Sequence, residues 1–128
     1  MVVPCSYVTD GYGTGDIHVL QNNKGTYTGK TFGGSGNSTN PPRFNTPHGI
    51  NYDPRFGLVV ISDRANHRLV YVNFDGSYNS SVGMPESLSL PCNVDFGFDA
   101  THALVPNLGS YSQYGKKNYR SLRINITH

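Results

Sequence analysis

The chain has 128 residues, a net charge of +2 and only 14% charged residues, which fits one small domain and makes nucleic acid an unexpected partner. Glutamate occurs once, at Glu86, and alanine and lysine are scarce, which excludes a helical bundle, a coiled coil and a nucleotide-binding fold of alternating strands and helices. No apolar run approaches the ~20 residues of a membrane helix, so no membrane partner is predicted. Frequent β-branched and aromatic residues, with 15 Gly and 8 Pro, instead predict an all-β fold of short strands and tight turns.

The first predicted group contains three strands. A strand over 6–10 leads into a glycine-rich turn, which is followed by a strand over 17–20 and an outer strand over 26–33. An insertion over 34–43 comes next, and the Gly, Ser and Asn content of its first part predicts a mobile linker.

The second group is the clearest of the three. A strand that begins near Phe44 ends in the turn after Asp53, and the nearly continuous apolar run over 58–63 predicts a strand buried on both faces. A strand over 68–74 runs into the tight-turn dipeptide Asp75-Gly76, and a fourth strand over 77–82 closes the group.

The third group repeats this frame. Strands are predicted over 90–96, 102–107 and 122–126, and the stretch 108–120 reads as an insertion. Corresponding positions in the three groups recur at intervals of roughly 40–50 residues, which is the repeat that four-stranded propeller blades require.

We therefore predict a partial β-propeller of about two and a half four-stranded antiparallel blades. The boundaries are about 1–33 for blade 1, about 44–83 for blade 2 and about 90–128 for blade 3, with insertions at 34–43 and 108–120. About ten strands are expected, in groups of three, four and three, with the first blade lacking its innermost strand and the last its outermost. Blades bury their apolar faces only against neighbours, so the open ends are expected to contact further blades or copies of the chain.

Cysteines and glycosylation sequons bear on the compartment. Cys5 and Cys92 could form a disulfide or remain separately buried thiols; each follows a proline beside apolar residues, which favours the thiols. Sequons at Asn37, Asn79 and Asn125 are candidate glycosylation sites and favour a secreted or extracellular location. The N-terminus lacks the pattern of a signal peptide, a conflict that a truncated N-terminus would remove.

Several motifs resemble a known family. The segments Phe44-Asn45-Thr46-Pro47-His48-Gly49-Ile50 and Ser62-Asp63-Arg64-Ala65-Asn66-His67-Arg68-Leu69 resemble the NHL repeat of six-bladed β-propellers. Together with Asp10-Gly11-Tyr12-Gly13, they are similar to the peptidyl-α-hydroxyglycine α-amidating lyases and their bacterial propeller relatives. The resemblance covers nearly the whole chain but about half of a six-bladed ring.

The resemblance implies roles for three residues. His48 is placed as a zinc ligand, Tyr12 as the catalytic tyrosine and Arg64 as the arginine that grips the substrate carboxylate. The family's first zinc histidine belongs to an earlier blade that is absent here, and its third would follow 105–107, where Leu108-Gly109-Ser110 contains no histidine. A catalytic zinc needs three protein ligands, so zinc is a conditional expectation.

Three hypotheses of function follow. The first is a binding or interaction module that takes a peptide or small molecule at the turns bearing Tyr12, His48 and Arg64. The second is a zinc-dependent amidating-lyase-like enzyme, and the third is a structural subunit whose open strand edges assemble copies into a ring or filament. The structural alternative gives the same residues local roles: His48 would bond to backbone at the blade entrance, Tyr12 would pack on glycine, and Arg64 would pair with Asp63 or Asp10.

The insertion over 110–120 interleaves tyrosines with cations. This composition is typical of a surface that stacks on and binds a polyanion. A solvated loop is the favoured interpretation, because Lys and Tyr are common in exposed loops.

Overall fold

A computed structural model of the chain describes residues 5–21, 26–85, 90–96, 101–108 and 120–125. Within these ranges the protein is all-β, as predicted, with nine strands and one 3₁₀ turn at Arg64–Asn66. The strands are β1 (Cys5–Thr9), β2 (Asp16–Gln21), β3 (Thr26–Gly33), β4 (Pro47–Asp53), β5 (Leu58–Asp63), β6 (Arg68–Val72), β7 (Tyr78–Gly83), β8 (His102–Asn107) and β9 (Arg120–Asn125). No helix in the described ranges is long and apolar enough to cross a membrane.

The strands form three antiparallel sheets that follow one another along the chain. The first has the order β1-β2-β3, the second β4-β5-β6-β7 and the third β8-β9. The predicted groups of three and four strands are thus confirmed. The strand predicted over 90–96 is present only as two isolated bridges, Pro91 with Asn107 and Asp95 with Leu104. The N–H of Cys92 donates to the carbonyl of Pro106 on β8 at 2.9 Å, but Pro106 has no N–H group to return the bond, and the pairing shifts by one residue between the two bridges.

The second sheet is buried on both faces. All six residues of β5 are buried, and successive side chains point to opposite sides of the sheet. One face packs Val59 and Ile61 against the first sheet, in a cluster with Ile17 and Phe44. The other packs Val60 with Ala103 and Val105 of the third sheet. The sheets are therefore stacked in sequence order, with the second in the middle.

The two outer faces of this stack are open within the described residues. Val8, 49% exposed, lies opposite His18, and the Nδ1 atom of His18 is 3.4 Å from the hydroxyl of the half-exposed Tyr27. These three side chains share the face of the first sheet that points away from the second. Leu104, 38% exposed between the buried Ala103 and Val105, marks the opposite end.

The insertion over 34–43 is held against the second sheet by hydrogen bonds, although the composition of its first part predicts a mobile linker. The guanidinium of Arg68 donates hydrogen bonds to the carbonyls of Ser38 (3.0 Å) and Arg43 (2.8 Å). The side-chain amide of Asn66 donates to the carbonyl of Gly36 at 2.8 Å. Polar side chains of the second sheet therefore order a segment whose own sequence carries no strand pattern.

The predicted modification sites have different outcomes. Cys5 and Cys92 are both free and half-buried in the structure. Asn37 and Asn79 are exposed. Asn125 ends β9, where it is the register partner of His102.

Candidate functional site

Three residues far apart in the sequence meet where the first and second sheets adjoin. Tyr12 lies in the turn between β1 and β2, His48 is the second residue of β4, and Arg64 begins the 3₁₀ turn after β5. The Nη1 atom of Arg64 is 3.5 Å from the hydroxyl of Tyr12. The rings of Tyr12 and His48 meet edge to face, with centroids 6.1 Å apart. The three sequence-predicted site residues thus form one cluster.

Hydrogen bonds to the carboxylate of Asp10 stabilise the turn that carries Tyr12. The carboxylate of Asp10 accepts hydrogen bonds from the backbone N–H of Thr14 (3.3 Å) and from its hydroxyl (3.1 Å). The backbone hydrogen bond has the larger effect and the hydroxyl bond the next, and together they hold the pKa of Asp10 below its usual range. A Cβ at Gly11 would collide with the carbonyl oxygen of Pro47, so glycine is required there for the turn to approach β4. Tyr12 therefore projects from a rigid turn and is 81% exposed.

His48 is fixed in orientation by the stretch 90–96, which bridges to the third sheet. Its Nδ1 atom lies 3.0 Å from the carbonyl oxygen of Cys92. A carbonyl oxygen can only accept, so in the neutral ring Nδ1 carries the proton and Nε2 keeps its lone pair. The backbone carbonyl of His48 also accepts a hydrogen bond from the hydroxyl of Thr9, at 3.1 Å. An exposed imidazole with a defined tautomer results.

Arg64 has no carboxylate partner among the described residues. The structural alternative paired it with Asp63 or Asp10, but the carboxylate of Asp63 is taken by Arg68, whose Nε atom lies 2.7 Å away. The Nε atom of Arg64 is itself buried without a hydrogen-bond partner in the described part of the chain. The guanidinium carries a full positive charge and has no carboxylate partner within the described ranges, so it is suited to an anionic ligand.

The described residues do not by themselves fit a zinc ion. Among them, no three His, Cys, Asp or Glu side chains are grouped closely enough to hold a metal. Zinc takes three or four protein ligands, of which His48 could supply one through Nε2.

One feature of the cluster is not visible in the sequence. Thr46, two residues before His48, has a φ of 54°, in the left-handed region that a β-branched residue rarely enters. A residue that precedes proline normally adopts an extended conformation, so the sequence predicts the opposite. The bend at Thr46 turns the chain from the buried Phe44 into β4 and so places His48.

Most of the aromatic and cationic insertion lies outside the part of the chain that the structure describes. Residues 109–119, which hold most of the stretch predicted to stack on a polyanion, lie outside the described residues, and Arg120 begins β9.

Comparison with known proteins gives a likeness of fold. No family model matches the chain, and no curated protein matches it significantly. A crystal structure of a protein from Bacteroides fragilis NCTC 9343, named there a putative exported protein, is similar with a TM-score of 0.62 and 15% sequence identity. The match covers 97% of this chain and 36% of the other, so this fold recurs inside a protein of which it spans little more than a third.

Proposed function

We propose that the chain is a binding module whose ligand site is the cluster of Tyr12, His48 and Arg64, and that the ligand is a peptide or small molecule with a carboxylate group. The observation that carries the proposal is the guanidinium of Arg64, which has no carboxylate partner among the described residues and lies beside an 81% exposed tyrosine. Arginine binds carboxylates through two parallel hydrogen bonds, and an exposed aromatic ring supplies apolar contact at little entropic cost. The Nε2 lone pair of His48 would accept a hydrogen bond from the same ligand.

We also propose that the fold is part of an NHL-type β-propeller. The order of the three stacked sheets, their antiparallel strands and their repeat spacing support this assignment. The likeness to part of a longer protein agrees with a partial ring. In a propeller the three site residues would lie at one rim, in turns or at the start of a strand, where such folds commonly bind ligands.

A location outside the cytoplasm is the compartment that we favour. The sequons at Asn37 and Asn79 are on exposed residues, and the similar solved protein bears the name of an exported one. Mass spectrometry of the protein from its native source would test this through glycan mass at these asparagines.

The test of the binding site uses two small probes that differ only in charge. N-acetylglycine has a carboxylate and N-acetylglycinamide does not, and each is titrated into the protein while the ring resonances of Tyr12 and His48 are followed by NMR. We expect the acid to shift both residues and the amide to bind at least about tenfold more weakly, because a hydrogen bond to a charged group contributes about 1.5–3 kcal/mol.

Two variants locate the effect. Arg64→Gln should weaken binding of the acid by about tenfold or more, whereas Lys30→Gln removes an exposed cation on β3 and should leave binding unchanged. Equal binding of acid and amide, or equal weakening by both variants, would refute a carboxylate site at Arg64.

A second candidate, the amidating-lyase-like enzyme, is favoured by the orientation of His48. Metal-binding histidines usually donate their other ring N–H to a carbonyl or carboxylate, as the Nδ1 atom of His48 does to Cys92. Elemental analysis of the purified protein decides this: stoichiometric zinc that is lost in His48→Ala would favour the enzyme, and its absence from the parent would leave the binding module.

A further inference from the structure

The first sheet is one strand short of the second. The three strands β1-β2-β3 correspond to β5-β6-β7, because β1 and β5 each lead to an aspartate that precedes the turn, Asp10 and Asp63. β5 is hydrogen-bonded on both sides, to β4 and β6. β1 pairs as a strand only with β2 within the described residues, so the place that β4 fills beside β5 is open beside β1.

The ladder of β1 and β2 shows which backbone groups face this open edge. The N–H of Asp10 donates to the carbonyl of Asp16, and hydrogen-bonded pairs alternate along an antiparallel ladder. The N–H and C=O groups of Tyr7 and Thr9 therefore point away from β2. Val19 of β2, which lies opposite Tyr7, shows the same alternation. Its carbonyl points away from β1 and accepts a hydrogen bond from the hydroxyl of Thr28 in β3.

The free edge of β1 has no feature that would discourage pairing. Its five residues, CSYVT, are uncharged and contain no proline. Lys30 lies on β3, two arginines on β9 and Pro47 on β4, and such residues are what proteins use to protect exposed edges. β1 therefore differs from β3, β4 and β9, because its free edge carries none of the residues that hinder pairing with another strand.

A cavity lies beside this edge. It has a volume of about 240 Å³ and is lined by Cys5–Tyr7 of β1, by Ile50–Tyr52 of β4 and by Val59. The inner face of β1 is already occupied, since the hydroxyl of Tyr7 donates to the carbonyl of Phe74 at 3.0 Å. What stays open is the strip next to the backbone of β1, where a further strand would lie.

We propose that the free edge of β1 binds one more strand, antiparallel to it and equivalent to β4, which a further repeat in a longer form of the polypeptide supplies. The occupant is inferred from the second sheet, in which a strand of this type occupies the same place. The similar solved protein, in which this fold takes up 36% of the chain, has the length that further repeats require. The proposal is independent of the carboxylate site.

Hydrogen exchange of the 128-residue chain is the first part of the test. The amides of Tyr7 and Thr9 should exchange quickly, whereas those of Ser6 and Val8, which face β2, should be protected. Protection of Tyr7 and Thr9 in the monomeric chain would overturn the proposal, because the edge would already be covered. Protection that grows with protein concentration would also overturn it, since a second copy would then be the occupant.

The second part supplies the strand. The sequence of residues 44–53 is joined ahead of the chain through a flexible Gly-Ser linker, which gives it a high effective concentration at β1. We expect the exchange of the Tyr7 and Thr9 amides to slow by at least about tenfold and Tm to rise. A fusion with the same ten residues scrambled is the control. Exchange that is equally fast in both fusions would overturn the proposal.

Discussion

At the scale of single residues, Gly49 shows how little room surrounds the candidate site. A Cβ atom there would collide with the backbone carbonyl of Cys92 and with Asn93, next to the hydrogen bond that orients His48. Two of the three closest atoms, the carbonyl oxygen of Cys92 and the Cα of Asn93, belong to the backbone and cannot rotate away. Position 49 therefore tolerates only glycine.

We predict that Gly49→Ala destabilises the protein by about 1–3 kcal/mol, the usual cost of overpacking. Urea unfolding measures the change, and the NMR signals of the His48 ring should move with it. Gly83→Ala is the matched control, because a Cβ at that position would meet no atom within 4 Å. Equal unfolding midpoints for the two variants would contradict the prediction.

The buried hydroxyl of Tyr71 makes the free energy of unfolding decrease at alkaline pH. Burial raises the pKa of its hydroxyl far above the usual value, the nearby Asp53 carboxylate adds to this, and Arg55 opposes it. The unfolded chain releases this proton near pH 10, whereas the folded protein retains it. The stabilisation is therefore complete below about pH 10 and is lost as the pH rises above it.

The expected result is that Tyr71→Phe flattens the decline of unfolding free energy between about pH 9 and 11. Urea unfolding across this range measures the slope. Tyr27→Phe, which changes a half-exposed ring on β3, should keep the slope of the parent protein. A Tyr71→Phe protein with the parental slope would show that burial of this hydroxyl does not control alkaline stability.

At the scale of elements, β5 is the strand on which both cores depend. Its residues alternate between two apolar clusters, and Ile61 is fully buried in the one shared with the first sheet. Ile61→Val should lower the unfolding free energy by about 0.5–1.5 kcal/mol in urea, since it removes one buried methylene group. Val8→Ala, on an exposed face, should stay within about 0.5 kcal/mol. A larger loss at Val8 than at Ile61 would reverse this assignment of the core.

The elements that the sequence predicts best are those with a strong local pattern. The bounds of β3, β5 and β8 agree with the predicted ones, because each is a run of strand-forming residues between clear turn residues. The stretch 90–96 fails as a strand because Pro106 on the partner strand cannot donate a hydrogen bond to Cys92, an effect that the repeat pattern alone does not weigh. The insertion at 34–43 is ordered by side chains from elsewhere, which no local pattern reveals.

The site was predictable in position but not in contacts. The repeat frame places the turns bearing Tyr12 and Arg64 at equivalent places, and the structure brings their side chains together. It did not predict that Asp63 would pair with Arg68 and leave Arg64 without a carboxylate. Two arginines lie within five residues of Asp63, and only the packed backbone decides between them.

At the scale of the whole molecule, we predict that any association between copies occurs at the outer faces of the stack. Val8 and Leu104 lie on opposite outer faces, and exposed apolar faces at the ends of a repeat stack favour contact with another such face. The double variant Val8→Lys/Leu104→Lys should reduce concentration-dependent association, measured by light scattering, because lysine would lose its hydration in such a contact. Asn79→Lys, an exposed change on β7, is the control for added charge. Equal association of all three proteins would exclude these faces as the contact.

The bend at Thr46 has a consequence for evolution and for engineering. A β-branched residue held at a φ of 54° directly before Pro47 costs roughly 1–3 kcal/mol, which glycine at this position would recover. Thr46→Gly should therefore raise the Tm of the protein. It would also give the backbone before β4 more conformational freedom, so that His48 is held less firmly in place. The substitution would raise thermal stability and lower ligand affinity. Selection for tight binding would therefore keep threonine at position 46, whereas selection for thermal stability alone would replace it.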